Sequence, residues 1–276
     1  MLLANNWFYR FCFFLFLFFL VCNNLDAQKN NAAVDAGNWR LGIHAAIARE
    51  VVVDNNFSAI PYNGTGPGGA AFIQHTKGLV TQQLLAYCAA GTLTNNLNKV
   101  ATSKYTYLNV SYNRLYLLSP AENLLTLKVG GAVDVLYNNR KYAGFVNNNK
   151  SFEFAASLAG LLEVNYFFEN TLAGFSITDR ISIPIVSSIM QPAYGSQNPS
   201  GSIGQDGGSA KTFLNSNRIA SFPSFLRLTN CISLQKVIAS GQILSLGYTW
   251  DYYRLNTNRQ VKQANQRLAI TYSFIL

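Results

Sequence analysis

The two histidines are the first place to look for a catalytic base. They stand in His44-Ala45-Ala46 and His75-Thr76-Lys77. A serine hydroxyl becomes a useful nucleophile only beside a base, and neither histidine has a serine or an acidic pair at a spacing that would supply the rest of such a site. The sequence has no phosphate-cradling glycine loop and no CxxC pair of the metal-binding kind. No catalytic, metal-ligating or cofactor-binding residue is therefore expected, and no cofactor. A different set of charges stands out by its position. Lys128, Asp134, Glu153, Glu163, Arg180, Arg227 and Asp251 all fall on the polar side of alternating segments. Enclosed together, such charges could form a constriction that selects solutes or a ladder of ion pairs that fills a narrow interior.

The elements that would position these charges are strands. In the stretch Tyr105–Tyr137, Leu108, Val110, Tyr112, Tyr116 and Leu118 share one face, and Asn109, Ser111 and Asn113 the other. After Ser119-Pro120-Ala121-Glu122-Asn123 the pattern resumes. Leu125, Leu127, Val129, Val133, Val135 and Tyr137 oppose Thr126, Lys128, Gly130 and Asp134. Alternation with period two belongs to strands and not to helices. The runs are long for a soluble sheet, where about five or six residues is usual. Apolar on one face and polar on the other, they fit a transmembrane barrel with lipid outside and a polar lumen inside.

The same alternation recurs over Trp39–Glu50, Ser151–Phe168, Leu172–Met190, Arg218–Leu234, Gln242–Leu255 and Gln263–Leu276. A weaker hairpin about Lys77-Gly78 joins Ala70–Thr76 to Leu79–Ala90. The stretch Pro61–Gly69 reads as a loop on its glycines and prolines. The sum is an all-β, antiparallel up-and-down barrel of about ten strands. Eight also fits if Val51–Ser103 is one external excursion. Ser119–Asn123 and Glu169–Thr171 are short turns. Asn138–Lys150, Gln191–Asn217 and Asn256–Lys262 are longer loops on the opposite end, which suits periplasmic turns and external loops. Asp179 falls among outward apolar residues, where a charge is costly, so a bulge that turns it inward is expected. Pro184 and Pro223 fall inside strands and imply bulges or bends.

The N-terminus carries Arg10 and then an apolar run, Phe11–Val21, too short to span a bilayer as a helix. It reads as a secretory signal over residues 1–27, cleaved after Ala27. A short periplasmic lead over 28–37 and a barrel over 38–276 follow. Cys12 and Cys22 leave with the signal; Cys88 and Cys231 stay, either as small packing residues or as a pair in an oxidising compartment. The formal charge is +9. For an exported barrel the natural anion is phosphate-rich lipopolysaccharide rather than nucleic acid. The expected partners are outer-membrane lipid and lipopolysaccharide, the assembly machinery, and a surface glycan or protein met by the loops. The function classes are a structural or surface-interaction barrel, a narrow porin-like channel and, last, an outer-membrane hydrolase.

The final run, Leu268–Leu276, resembles the C-terminal sorting strand of outer-membrane barrels, with Tyr272, Phe274 and Leu276 on one face and leucine in place of the usual terminal aromatic. Together with Ala27-Gln28, Ser182-Ile183-Pro184 and Tyr248-Thr249-Trp250-Asp251-Tyr252-Tyr253-Arg254, the chain looks like the uncharacterised outer-membrane barrels of Bacteroidota. The resemblance implies the cell outer membrane as location and carries no activity with it.

Overall fold

The computed structural model describes residues 37–55, 58–95, 97, 101–119, 124–143, 150–190, 218–239, 241–256 and 260–276. The expected signal over 1–27, almost all of the lead over 28–37, and the loop 191–217 lie outside the described residues. No helix among those described is long and apolar enough to cross a membrane, which leaves the strands.

Ten long antiparallel strands close on themselves. They are β1 (Asn38–Asp54), β2 (Ser58–Lys77), β3 (Val80–Asn95), β4 (Thr102–Leu117), β5 (Leu125–Tyr142), β6 (Lys150–Phe167), β7 (Phe175–Met190), β9 (Phe225–Ala239), β10 (Gln242–Asn256) and β11 (Gln260–Ile275). A three-residue strand, β8 (Arg218–Ala220), adds to the far end of β7. Each long strand pairs with its chain neighbours, and β11 pairs with β1 from Val261 opposite Asp54 to Ile275 opposite Arg40. Closure removes both sheet edges, so every long strand has a paired neighbour on each side within the wall. The count of ten stands, and Val51–Ser103 is a strand-rich part of the wall rather than an excursion. One end of the barrel carries the turns at Gly78-Leu79, 118–124, 168–174 and 240–241. The opposite end carries the connections 55–57, 96–101, 143–149, 191–217 and 257–259.

Pro61–Gly69 is strand, not loop. Gly64, Gly66 and Gly68 all sit on the inward face of β2. A Cβ at Gly64 would come within 2.0 Å of the Thr92 carbonyl oxygen, and one at Gly66 within 2.0 Å of that of Ala90. The glycines are therefore there for close strand approach rather than for a turn. The prolines sit where the ladder is broken. Pro67 lies in the interval between Asn63 and Gly68 where β2 makes no ladder pairs with β3, and Pro61 lies in the irregularity between Val52 and Asp54.

Pro184 also marks an irregularity. Leu158 opposes Val186 while Ala159 opposes Pro184, so Ile185 is the extra residue of a bulge. Pro223 differs from expectation: it lies in a turn, 221–224, that separates β8 from β9, so Arg218–Leu234 is not one strand. The ladder between β7 and β9 runs only from Phe175–Ser182 against Thr229–Lys236; further along, β7 pairs with β8 instead.

Asp179 is not turned inward. It stays in register on the outer face, opposite Val164 on β6 and Ile232 on β9. Its carboxylate accepts a 2.6 Å hydrogen bond from Asn230 Nδ2, also on the outer face. A polar partner on the next strand, rather than a bulge, accommodates this charge. The outer face is otherwise apolar over its middle: Ile43, Ile47, Leu108, Val133, Leu158, Ile183, Leu246, Leu268 and Ile270 are all exposed.

Candidate functional site

Inside the wall the side chains fall into three tiers. The tier nearest the turns holds Lys128, Glu163 and Arg180. Lys128 Nζ lies 3.0 Å from Glu163 Oε1, and Arg180 Nη2 lies 2.5 Å from Glu163 Oε2. These two cations reach Glu163 from the strands on either side, where β5 places Lys128 and β7 places Arg180 opposite it. Arg180 Nη1 also donates to Gln83 Oε1 on β3 at 2.7 Å. Asn165 Nδ2 donates to Glu163 Oε1 at 3.1 Å, and on β1 Arg40 Nε donates to Ser273 Oγ at 2.8 Å.

The middle tier is built on Arg227. Its Nε donates to Asp251 Oδ1 at 2.9 Å and its Nη2 to Asp251 Oδ2 at 3.0 Å, a two-pronged pairing of guanidinium and carboxylate. Its Nη1 bonds Asp134. Tyr107 Oη donates to Asp251 Oδ2 at 2.5 Å, and Asn109 Nδ2 to Asp134 Oδ1 at 2.7 Å. Arg267 adds a more distant cation, 3.9 Å from Asp251, and lies over the Tyr87 ring at 4.2 Å.

The outer tier is built on Arg140. Its Nη2 lies 2.5 Å from Glu153 Oε1 and 3.7 Å from Asp54 Oδ2. Its Nη1 donates to Gln263 Oε1 at 2.9 Å, and Asn138 bonds the same oxygen. Tyr253 Oη donates to Gln263 Oε1 at 2.8 Å or to Glu153 Oε2 at 3.1 Å. Around this tier pack Val52, Tyr62, Leu93, Tyr142, Leu255 and Val261, all buried.

The expected inward set is thus assembled from five strands into ion pairs, Lys128 and Arg180 on Glu163, Arg227 on Asp134 and Asp251, with Glu153 paired to a residue outside that set. Arg140 belongs to the interior: it was expected in an external loop spanning Asn138–Lys150, but β5 runs on to Tyr142 and Arg140 is wholly buried. The alternation that exposes it is visible in Asn138, Arg140 and Tyr142. Their outward neighbours Asn139 and Lys141 are polar, so the segment lost its apolar face and read as a loop. Arg40, Glu50, Asp54, Tyr107, Tyr253, Gln263 and Arg267 were missed for related reasons, each standing near a strand end or on a face read as neutral. Among the described residues that are not exposed, the inward cations Arg40, Lys128, Arg140, Arg180, Arg227 and Arg267 equal in number the inward acids Glu50, Asp54, Asp134, Glu153, Glu163 and Asp251.

The decisive geometry is how far these bonds reach. In a ring of ten, β4 and β10 stand five strands apart in either direction. They are joined by Tyr107 and Asp251. β5 and β11 are likewise opposite and are joined by Arg140 and Gln263. β6 and β1 are opposite and are joined by Ser151 Oγ donating to Asp54 Oδ2 at 3.3 Å. Side chains therefore meet across the full width of the interior at two levels. Tyr107, Asn138, Arg140, Glu50, Asp251 and Gln263 are all essentially without solvent exposure.

The histidines lie away from this network of carboxylates. His44 faces inward, with Nδ1 2.8 Å from Thr271 Oγ1 and its ring edge-on to Phe72. His75 stacks on Trp39 at 4.4 Å at the turn end. No group of three His, Cys, Asp or Glu among the described residues is placed to hold a metal. Cys88 and Cys231 are not bonded to one another. Tyr272, Phe274 and Leu276 end the closing strand: Tyr272 opposes Ile43, Phe274 opposes Leu41, and the Leu276 amide donates to the Trp39 carbonyl at 2.8 Å.

A closed antiparallel barrel with an apolar outer band and a charged interior is the architecture of transmembrane β-barrels. Known structures agree on the fold. The chain superposes on the outer membrane protease OmpT from Escherichia coli with a TM-score of 0.50, 8% identity, and coverage of 91% of this chain and 100% of that one. Weaker matches are the translocator domain of the autotransporter NalP from Neisseria meningitidis (TM-score 0.42, 10% identity, 92% of each chain) and an outer membrane channel from Pseudomonas putida F1 (TM-score 0.39, 12% identity, 90% of this chain and 100% of that one). No known family profile matches the sequence, and no curated protein does.

Proposed function

We propose that this protein is an outer-membrane barrel whose lumen is closed by its own side chains and which acts through its external rim and loops. One observation carries the reading: Tyr107 and Asp251, and Arg140 and Gln263, bond across the whole interior. A solute-selecting channel needs an unbridged path, and contacts that span the whole width at two levels speak against one. A hydrolase reading lacks support, because neither His44 nor His75 has a carboxylate or a serine bonded to it among the described residues. Location in the outer membrane is supported by the apolar outer band and by the alternating face of the closing strand, with Tyr272, Phe274 and Leu276 as the residues presented to the assembly machinery. Small-solute entry into liposomes tests the reading. Proteoliposomes carrying the folded protein should swell in isotonic sugar no faster than empty liposomes. Swelling that rises with protein content would reject it.

A further inference from the structure

The interior and the outer rim keep opposite charge accounts. Inside, cations and acids balance. On the outward face near the loop end, Arg49, Lys104, Lys141, Arg254 and Lys262 stand on five strands, and no described acid stands on that face at their level; the one described outward strand acid, Asp179, lies toward the turn end of β7. None of the five makes an ion pair with another described residue, whereas Asp54, Asp134, Glu153, Glu163 and Asp251 inside the wall each have a cation within 4 Å.

The register makes the imbalance sharper. Lys104 on β4 is directly opposite Lys141 on β5. Arg254 on β10 is directly opposite Lys262 on β11. Directly opposed residues on one face have Cβ atoms about 4.5–5.5 Å apart, and like charges there destabilise the sheet. A barrel with nothing to meet at this level would gain by an acid at one of these positions.

The height of the clusters says what they meet. Below Lys141, toward the membrane band, lies Tyr137, with the Phe152 ring of β6 6.3 Å from it. Below Arg254 lie Tyr252 and Trp250, stacked at 5.9 Å. Outward aromatic residues of this kind mark the boundary between hydrocarbon and headgroups. The cations stand one to two outward positions beyond that girdle, at headgroup height. An anion fixed at that height, and dense enough to answer paired lysines, is a phosphate on a membrane lipid.

We propose that the outward pair Lys104–Lys141, echoed by Arg254–Lys262, is a docking surface for a glycolipid of the surrounding leaflet that carries phosphates on its saccharide headgroup. The proposal deepens the reading above by naming one partner of the external rim, and it rests on the loop end being external. The lipid's acyl chains lie against the apolar wall below the girdle while two adjacent lysines share a phosphate. The contact is a charge-assisted one, which needs no displacement of any side chain in the lumen.

The test uses the whole folded protein in nanodiscs and bisphosphorylated lipid A as the probe, with binding read by native mass spectrometry and folding checked by heat-modifiability. A juxtamembrane cation contributes roughly fivefold in affinity, so Lys104→Gln with Lys141→Gln should weaken binding roughly 25-fold, and Lys104→Arg with Lys141→Arg should restore it. Lipid A stripped of its phosphates should bind the unaltered protein as weakly as the glutamine variant binds the intact lipid. Equal binding of stripped and intact lipid A overturns the proposal, since the contact would then be apolar. So does release of bound lipid A by soluble heparin at micromolar concentration, which would make the surface a site for a soluble polyanion. Liposome swelling is unaffected by these variants, so failure here is distinguishable from failure of the closed-lumen reading.

Discussion

At the residue scale the structure turns on buried charges that tolerate no loss of a partner. Arg227 serves two buried carboxylates, and taking it away removes the cation from Asp134 and leaves Asp251 only the more distant Arg267. Breaking a buried pair by removing one member costs about 3–5 kcal/mol, while replacing the whole group by apolar residues of similar volume is often neutral. Arg227→Leu should therefore cost about that much in urea unfolding from detergent micelles. Arg227→Leu combined with Asp134→Leu and Asp251→Leu should recover most of the loss. A triple variant as unstable as the single one would show that shape, not charge compensation, dominates this tier. Asp179 on the lipid-facing wall makes the same point in reverse: hydrogen bonds from the Asn230 side chain and the Arg180 backbone accommodate a carboxyl group there without a bulge.

At the element scale, most of the wall was legible from the period-two pattern, because lipid outside and charge inside give each strand two unlike faces. The hairpin of β4 and β5 was read with its faces correctly assigned, down to Val133 outside and Ala132 inside. The pattern failed where one face lost its contrast. β2 carries glycine inward and Pro67 and Thr65 outward, so it read as a loop although its glycines serve strand approach. The ends of β5 and β10 extend past the apolar band, so their outward residues turn polar while the inward ones stay buried. The glycine argument makes a prediction. Gly66→Leu would put side-chain atoms against the Ala90 carbonyl and should abolish the heat-modifiable folded form on gels. Gly160→Ala, where the nearest atom to an added Cβ is at 4.0 Å, should leave it unchanged. The closing strand is a second case. Removing Tyr272–Leu276 takes away the pairs with Gly42, Ile43 and Leu41 and should leave no folded protein in outer-membrane fractions. Normal folded levels would show that the barrel closes, and is delivered, without its last residues.

At the scale of the whole molecule, the ring order could not be seen in the sequence, because no local pattern says that β4 will face β10 across the interior. The inward charges were named one by one from their strands; which of them meet, and that Tyr107, Arg140 and Gln263 complete the contacts, follows only from closure. The orientation we propose rests on the connections: Met190 and Arg218, which flank 191–217, stand at the end opposite the short turns. A protease added to intact cells should cut between Ser196 and Ser209 before it cuts elsewhere. Cleavage only after the outer membrane is opened would invert the orientation and remove the loops from the list of contact surfaces. The excess positive charge then belongs to the outside of the molecule, since the lumen is balanced. The most direct measurement of the central claim is the current through single molecules in a planar bilayer. The folded protein should insert, as judged by its protection from protease, and give no resolved conductance steps in molar potassium chloride. Steady, repeatable steps from the unaltered protein would contradict a lumen closed by Tyr107–Asp251 and Arg140–Gln263.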